Sequence, residues 1–435
     1  MNLIIHRGAK EIGGSCVELR TENTRILIDF GMPLVDENGE RFNADVLRDK
    51  TTRELIDLEI LPAIDGLYKG KERQIDAIFI SHSHLDHYGF LNYVHPDVPI
   101  YMSEGAKILA DISDLFVPNS AGKINAIIID KRKKVAVGDF TVTSYLVDHS
   151  AFDALAFLVE ADGKRIFYSG DFRGHGRKSV LFEKMLENPP KDIDCLLMEG
   201  SMLGRNDMLC KNEEAVQLSM EDILKSNDNI KFLFASSQNI DRIVSAYKAC
   251  VKTGHIFVID IYTAYILDKL KEVSKNIPQF DWNNIKVKFT KYHASTLAEK
   301  VSTQLLYHYN TNKIDISDIN KKKSKILMLA RDNSVFPFFV KGIKDIEGAK
   351  IIYSMWEGYL TEKFKDYCED KGIGIIYAHT SGHAVLDDLK SFVTAIDPGK
   401  LIPIHTFNPE EYAKHWGDRV IQIKDGQEIT VGEWN

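Results

Sequence analysis

The sequence predicts an α/β protein in which one α/β segment is inserted into another. Three observations carry this reading. Short β-branched runs separated by turns occupy the first 200 residues, a regular strand–helix alternation replaces them from about residue 212, and short strand-like runs return from about residue 371. The implied boundaries are a first domain over 1–204, an insertion over 205–370 and a return to the first domain over 371–435.

The opening runs are "TRILIDFG", "QIDAIFIS", "FTVTSYLVD", "KRIFYSGD" and "DCLLMEG", and several end at Gly, Asp or His. "NEEAVQLSMEDILKS" then has helical spacing, with Asn212 as N-cap and acids in the first turn. After it come "IKFLFASS" as strand, "NIDRIVSAYKACVKTG" as a helix closing at Gly254, "HIFVID" as strand and "YTAYILDKLKEVS" as helix. Such βαβ alternation predicts a parallel sheet. The polar stretch over 310–325 is expected to be a loop. "IGIIYAH", "LIPIHTF" and "RVIQI" are the returning strands.

Composition narrows the class. With 435 residues, 44% hydrophobic and 27% charged, the chain can bury a large core. No apolar run approaches the roughly 18 residues of a membrane span. The start, "MNLIIHRGAKEIGG", lacks the cationic-then-apolar order of a signal peptide. Cys16, Cys195, Cys210, Cys250 and Cys368 are scattered, with no CxxC pair, so reduced thiols and a cytoplasmic location are expected. A net charge of −8 is not the basic footprint of a nucleic-acid binder, although a local basic groove or bound cations can override it.

The densest chemistry lies in "FISHSHLDHYG", where His82, His84, Asp86 and His87 fall within six residues at the end of a strand. At this composition such a motif arises about 0.002 times by chance. Neutral imidazoles beside a carboxylate are the usual ligands of zinc-like ions. Open α/β sheets place their sites at the carboxyl ends of strands. Three further residues repeat that placement: His149 after "TVTSYLVD", Asp171 in "SGDF" and His405 after "LIPI". Seven ligands suit two metals sharing one carboxylate. Asp29, following "ILI", is expected to orient a ligand histidine rather than bind metal itself.

The order HxHxDH, His, "SGD", late His resembles the metallo-β-lactamase superfamily, and the insertion resembles the β-CASP domain of its nucleic-acid-processing branch, which includes ribonuclease J. "CLLMEGS" with Glu199, "AHTSGHA" with His383 and "IPIHTF" with His405 resemble the branch's motifs, and "SSQNIDRIVSAYKAC" resembles the first helix of its inserted domain. The resemblance implies an αββα sandwich carrying a β-CASP-like insertion. It also implies one metal site from His82, His84 and His149, a second from Asp86, His87 and His405, and Asp171 as the bridge. Two divalent ions, zinc first and manganese second, would activate a hydroxide. Asp86, His383 and Glu199 are the implied catalytic residues, with His383 aligned by Glu199 as general acid. The family's Gly-Ser-Gln-rich loop has no such counterpart in "LMLARDNSVF", and its extra C-terminal domain has none in these 435 residues.

Expected substrate contacts are Ser381, Arg173 and Arg242; Tyr88, Phe172, His175 and Trp356 offer aromatic faces to bases, although core packing is the first reading of each. The runs at 131–134 and 321–325 are expected to be solvated turns. The leading expectation is a two-metal ribonuclease acting on single-stranded RNA. The alternative is a small-molecule hydrolase for a lactone, thioester or phosphate ester, because one fold hosts many chemistries. Partners are RNA and no membrane, with a homodimer left open.

Overall fold

The computed structural model describes residues 1–36, 40–117, 121–130, 132–205, 209–225 and 229–434. The chain divides into two compact units: Met1–Gly174 with Lys178–Asn206 and Gly382–Asn435, and His175–Arg177 with Asp207–Ser381.

The first unit is an αββα sandwich. One sheet has seven strands, in the order Glu428–Thr430, Asn2–Arg7, Cys16–Arg20, Arg25–Ile28, Ala77–Phe79, Ile100–Met102 and Ala126–Ile128. The other has six: Lys400–Ile404, Cys195–Glu199, Lys164–Tyr168, Leu155–Ala161, Phe140–Leu146 and Lys134–Val137. The period-2 rule explains why central strands read as unbroken apolar runs. In Leu155–Ala161, residues Leu155, Phe157 and Val159 enter the core between the sheets, while Ala156 and Leu158 pack under the outer helices. Ala77 and Phe79 face the same inter-sheet core, and Ile78 turns to the helices on the opposite outer layer.

Three neighbouring strands of the second sheet run parallel, with Ile166 beside Cys195 and Glu199 beside Ile404. Their carboxyl ends therefore reach one sheet edge together. Asp171, Glu199 and His405 sit at or just past those ends.

The second unit holds a six-stranded, wholly parallel sheet: Ile285–Lys288, Ile256–Asp260, Ile326–Ala330, Lys231–Phe234, Lys350–Tyr353 and Gly374–Tyr377. Two of its helix boundaries fall where the sequence predicts. Asn212 Oδ1 accepts from Ala215 N at 2.8 Å, and Gly254 ends its helix at φ 68°.

Three expectations need correction. "RVIQI" forms no strand, only an isolated bridge of Val420 to Leu401. The strand Gly374–Tyr377, expected to return to the first domain, pairs with Lys350–Tyr353 in the inserted sheet. The chain re-enters the first unit only at Gly382. A short β-branched run carries no label for the sheet it joins. The stretch 310–325 is not a loop: helix Ile316–Lys322 forms in it, capped by Asp315, which accepts from Ser317 N at 2.9 Å and Asp318 N at 3.0 Å. Buried Ile314 and Ile319 anchor that turn despite its polarity. Among the described residues no helix is long and apolar enough to cross a membrane.

Candidate metal centre

Strand Ala77–Phe79 delivers "SHSHLDH" into a loop and then a short helix, Leu85–Tyr88, which carries Asp86 and His87. Leu155 N donates to Ser81 O at 2.8 Å and ties this loop to the second sheet. His149, Asp171 and His405 approach from the ends of second-sheet strands. Gly170, before Asp171, has φ 54°, and a Cβ there would lie 2.6 Å from the Leu155 carbonyl. His405 and Asp29 also occupy left-handed backbone, at φ 54° and 60°. Non-glycine residues at such angles cost roughly 1–2 kcal/mol each. The surrounding packing holds them there.

Asp171 Oδ2 is the hub. It lies 3.2 Å from His87 Nε2, 3.5 Å from His405 Nε2, 3.7 Å from His82 Nε2 and 3.9 Å from His149 Nε2. Asp86 Oδ2 is 3.8 Å from both His87 Nε2 and His405 Nε2. His84 Nδ1 faces His149 Nε2 at 3.3 Å. Four ligand groups emerge, each with donor atoms within 4.8 Å of one another: His82, His84 and His149; His82, His87 and Asp171; Asp86, His87 and His405; and His149, Asp171 and His383.

The donor chemistry fits divalent cations. Asp171 Oδ2 and the Nε2 atoms of His82, His87 and His405 are buried without a hydrogen-bond partner. The 3.2 Å approach of His87 to Asp171 is close enough for an ion pair but is not aligned as a hydrogen bond. Buried polar atoms normally find partners, so four orphans converging on one point call for an ion. Burial lowers the pKa of His82, His149 and His405, and moves that of His84 to about 4, so these rings offer neutral lone pairs at pH 7. His87 goes the other way. Burial opposes its charge, but Asp171, Asp29 and Asp86 together hold its proton, and a cation at Nε2 would take that proton's place. Burial likewise opposes ionisation of Asp171, yet His405, His87 and His383 keep it a carboxylate.

Orienting groups lie behind the ligands. His149 Nδ1 donates to the Gly382 carbonyl at 2.6 Å, which leaves Nε2 bare. Gly382 must stay small, because a Cβ would fall 2.5 Å from Ser150 Oγ. Asp29 Oδ2 accepts from His87 Nδ1, Ser81 Oγ and Tyr168 OH, each at 2.8 Å. Ser81 Oγ in turn stands 3.0 Å from His82 Nδ1. The sequence reading named Asp29 but missed Ser81, Tyr168 and Gly382. Ser81 and Tyr168 sit inside the quoted motifs, so position was the only available signal.

His383 Nδ1 lies 3.5 Å from Glu199 Oε1 and 3.7 Å from Asp171 Oδ2. Burial disfavours its charge, but the Glu199 and Asp171 carboxylates raise its pKa to about 9. Glu199 Oε1 also accepts from Ala384 N at 3.1 Å, and Oε2 accepts from Ser201 N at 2.9 Å. Glu199 thus fixes the loop that carries His383.

The expected substrate contacts fare differently. Arg173 and Arg242 are fully buried, which corrects their assignment as substrate-binding cations. Arg173 pairs with Asp148 at 3.5 Å and donates its backbone N–H to the Asp148 carbonyl at 2.7 Å, locking the Asp171 loop to the His149 loop. Arg242 grips Glu213 with two nitrogens, at 3.0 and 3.2 Å, and donates to Ser354 O at 2.6 Å and Thr380 O at 3.2 Å. A buried guanidinium needs such a cage. Arg242→Ala should destabilise the inserted unit by about 3–5 kcal/mol, because it leaves Glu213 buried and uncompensated; denaturant titration of the full chain measures this. Ser381 falls in the inserted unit, where its carbonyl lies 3.1 Å from His175 Nε2. Tyr88 and Phe172 are core residues, and Trp356 is exposed against Tyr359. In the basic runs, Lys133 pairs with Asp130 and Lys321 with Asp318, while Lys131 lies outside the described residues. Arg331, within "LMLARDNSVF", pairs with Asp260 and Ser237.

The sandwich and its histidine–carboxylate cluster define a metallo-β-lactamase-fold protein, and residues 61–231 match the family described as "Beta-lactamase superfamily domain". Beyond that domain, the chain is similar over much of its length to proteins named ribonuclease J. It is 21% identical to Helicobacter pylori (strain ATCC 700392 / 26695) ribonuclease J over 98% of its own length and 60% of that protein. It is 25% identical to ribonuclease J 2 of Streptococcus pyogenes serotype M3, over 62% of this chain and 48% of that one. A solved Enterococcus faecalis V583 protein of unknown function shares the fold, with a TM-score of 0.79 and 24% identity over 98% of this chain and 99% of that one. The chain thus spans about 60% of the length of the Helicobacter pylori relative.

Proposed function

We propose that this protein is a two-metal ribonuclease that cleaves phosphodiester bonds of single-stranded RNA, with zinc as the first candidate ion and manganese as the second. The observation that carries the reading is the convergence of three partnerless buried imidazole nitrogens, of His82, His87 and His405, on the equally partnerless Asp171 Oδ2. His82, His84 and His149 would hold one ion and Asp86, His87 and His405 the other, with Asp171 as the carboxylate common to both. Two ions so placed supply a strong nucleophile at neutral pH and neutralise charge on the phosphate. The chain's own residues do the rest. Asp29 and Gly382 hold the imidazole tautomers. His383, whose pKa the Glu199 carboxylate raises against burial, is the proton donor to the leaving oxygen, and Glu199 positions it. The relatives named ribonuclease J favour RNA over a small-molecule ester.

The test incubates zinc- or manganese-loaded protein with linear 5′-phosphorylated RNA and circular RNA of the same sequence, with and without chelator. Metal-dependent cleavage of the linear strand is expected, and cleavage of the circle identifies endonucleolytic action. Intact RNA alongside hydrolysis of a lactone or thioester would overturn the reading.

A further inference from the structure

A second cluster of charged side chains belongs to the inserted unit alone, at the carboxyl edge of its parallel sheet. Strands Ile256–Asp260 and Ile326–Ala330 are neighbours there. The chain leaves the first toward Ile285–Lys288 on one side and the second toward Lys350–Tyr353 on the other. Connections that part in this way open a crevice, and open parallel sheets bind their ligands in it. Asp260 ends one of the two strands and Arg331 follows the other.

Basic groups outnumber carboxylates at this edge. Arg331 Nη1 donates to Asp260 Oδ2, so one charge cancels the other. His293 Nδ1 lies 3.7 Å from that same oxygen. Lys288 stands beside Asp260 in the register of their two strands, yet its Nζ lies over the Phe339 ring, 3.1 Å from the centroid. Among the described residues Lys288 has neither a hydrogen bond nor an ion pair. A single carboxylate thus serves three basic side chains. Burial pushes the pKa of Lys288 down to about 7, against the pull of Asp260, and burial with Arg331 lowers that of His293. Thr290 Oγ1, two residues past Lys288, is buried without a partner. Thr290 makes no side-chain cap to helix Lys291–Lys300, whose first turn carries no acid. Partly buried groups of this kind are costly unless a partner of opposite charge meets them.

We propose that this edge binds a phosphate dianion, either free phosphate or the terminal group of a small phosphorylated molecule, held by Lys288 and His293 with Thr290 as a hydroxyl donor. Arg331 and Asp260 brace the crevice and cancel one another. Lys288 and His293 are then left to match two negative charges, since an anion beside them favours their protonated forms. An internal phosphodiester carries only one charge. Phe339 is buried, so Lys288 is recessed over it and a terminal group reaches it best. No ligand of the metal centre takes part, and the assignment is independent of the two-ion reading.

The experiment uses the full chain, kept metal-free with chelator, and follows binding by calorimetry. The probes are inorganic phosphate, glucose 6-phosphate, glucose, and a single-stranded oligonucleotide without terminal phosphates. One equivalent of phosphate should bind, and glucose should not. Lys288→Met keeps the stem over Phe339 but removes the charge, and should weaken phosphate binding by roughly 10–100-fold, the worth of a charge-assisted hydrogen bond. His293→Gln should weaken it less, and His405→Ala should bind phosphate as wild type does. Phosphate should raise the melting temperature of wild type but not of Lys288→Met, whose own value without phosphate should equal or exceed wild type, because an unpaired ammonium has gone. Tighter binding of glucose 6-phosphate than of phosphate identifies a phosphorylated molecule as the ligand, and the reverse order identifies free phosphate. Wild-type protein that binds neither, unchanged affinity in Lys288→Met, loss of phosphate in His405→Ala, or binding of the oligonucleotide alone overturns the assignment.

Discussion

Asp171→Ala should bind neither ion at stoichiometric metal and should lose RNA cleavage to background. Its Oδ2 lies within 3.9 Å of four ligand nitrogens, a place that no other carboxylate among the described residues shares. Loss of a mere orienting partner costs about 10–100-fold in affinity, and a bridging ligand must cost more. Elemental analysis after gel filtration measures the content. Two retained equivalents would show that the ions do not share Asp171. Asp171→Asn separates charge from shape: it keeps the volume but supplies a neutral oxygen, and one ion or fewer should remain. His87 provides an internal check, because Asp171 is the foremost of the three carboxylates that hold its proton against burial. Without that carboxylate the imidazole should titrate at lower pH in metal-free protein, which NMR of the ring protons can follow.

His383→Ala and His405→Ala should fail in different ways, although the residues are close in sequence. His405→Ala removes a ligand nitrogen and should lower occupancy of the second ion together with activity. His383→Ala should keep both ions and slow cleavage by roughly 10²–10⁴, the usual worth of a positioned proton donor. The loss should shrink for a nitrophenyl phosphodiester, whose leaving group needs little protonation. The pH profile carries the same signature. Glu199 and Asp171 raise the pKa of His383 to about 9 in the metal-free site, so the donor is protonated below that value and lost as pH rises through it. Two bound cations lower that pKa, which places the falling limb below about 9. His383→Ala should abolish the limb. Glu199→Gln should move it to lower pH and slow cleavage less, because it removes the charge partner but leaves the imidazole. Metal loss in His383→Ala, or an equal loss on both substrates, would assign His383 as a ligand or substrate contact instead.

How much of this was legible beforehand varies with the range of the interaction. The ligand residues of "SHSHLDH" lie within one loop and one short helix, so spacing alone exposes them. Asn212 and Gly254 as helix boundaries are equally local. Arg173 and Arg242 misled for the opposite reason. Beside a candidate site a basic residue suggests an anionic substrate, and only the distant partners Asp148 and Glu213 reveal a buried structural pair. The strand Gly374–Tyr377 has the composition of its neighbours in either unit, and its sheet is decided by pairing with Lys350–Tyr353.

By itself, then, the sequence determined the residue types that can hold a cation, their placement after strands, and the layered α/β class, because hydrophobic period and loop chemistry act over a few residues. Tertiary structure alone decided which atoms meet. It made Asp171 Oδ2 the common neighbour of five imidazoles, gave His149 its tautomer through Gly382, joined Tyr168 and His87 on Asp29, and set Ser15 beside His405. Such contacts join residues up to 390 positions apart, and they arise from the packing of two sheets, which no local pattern encodes.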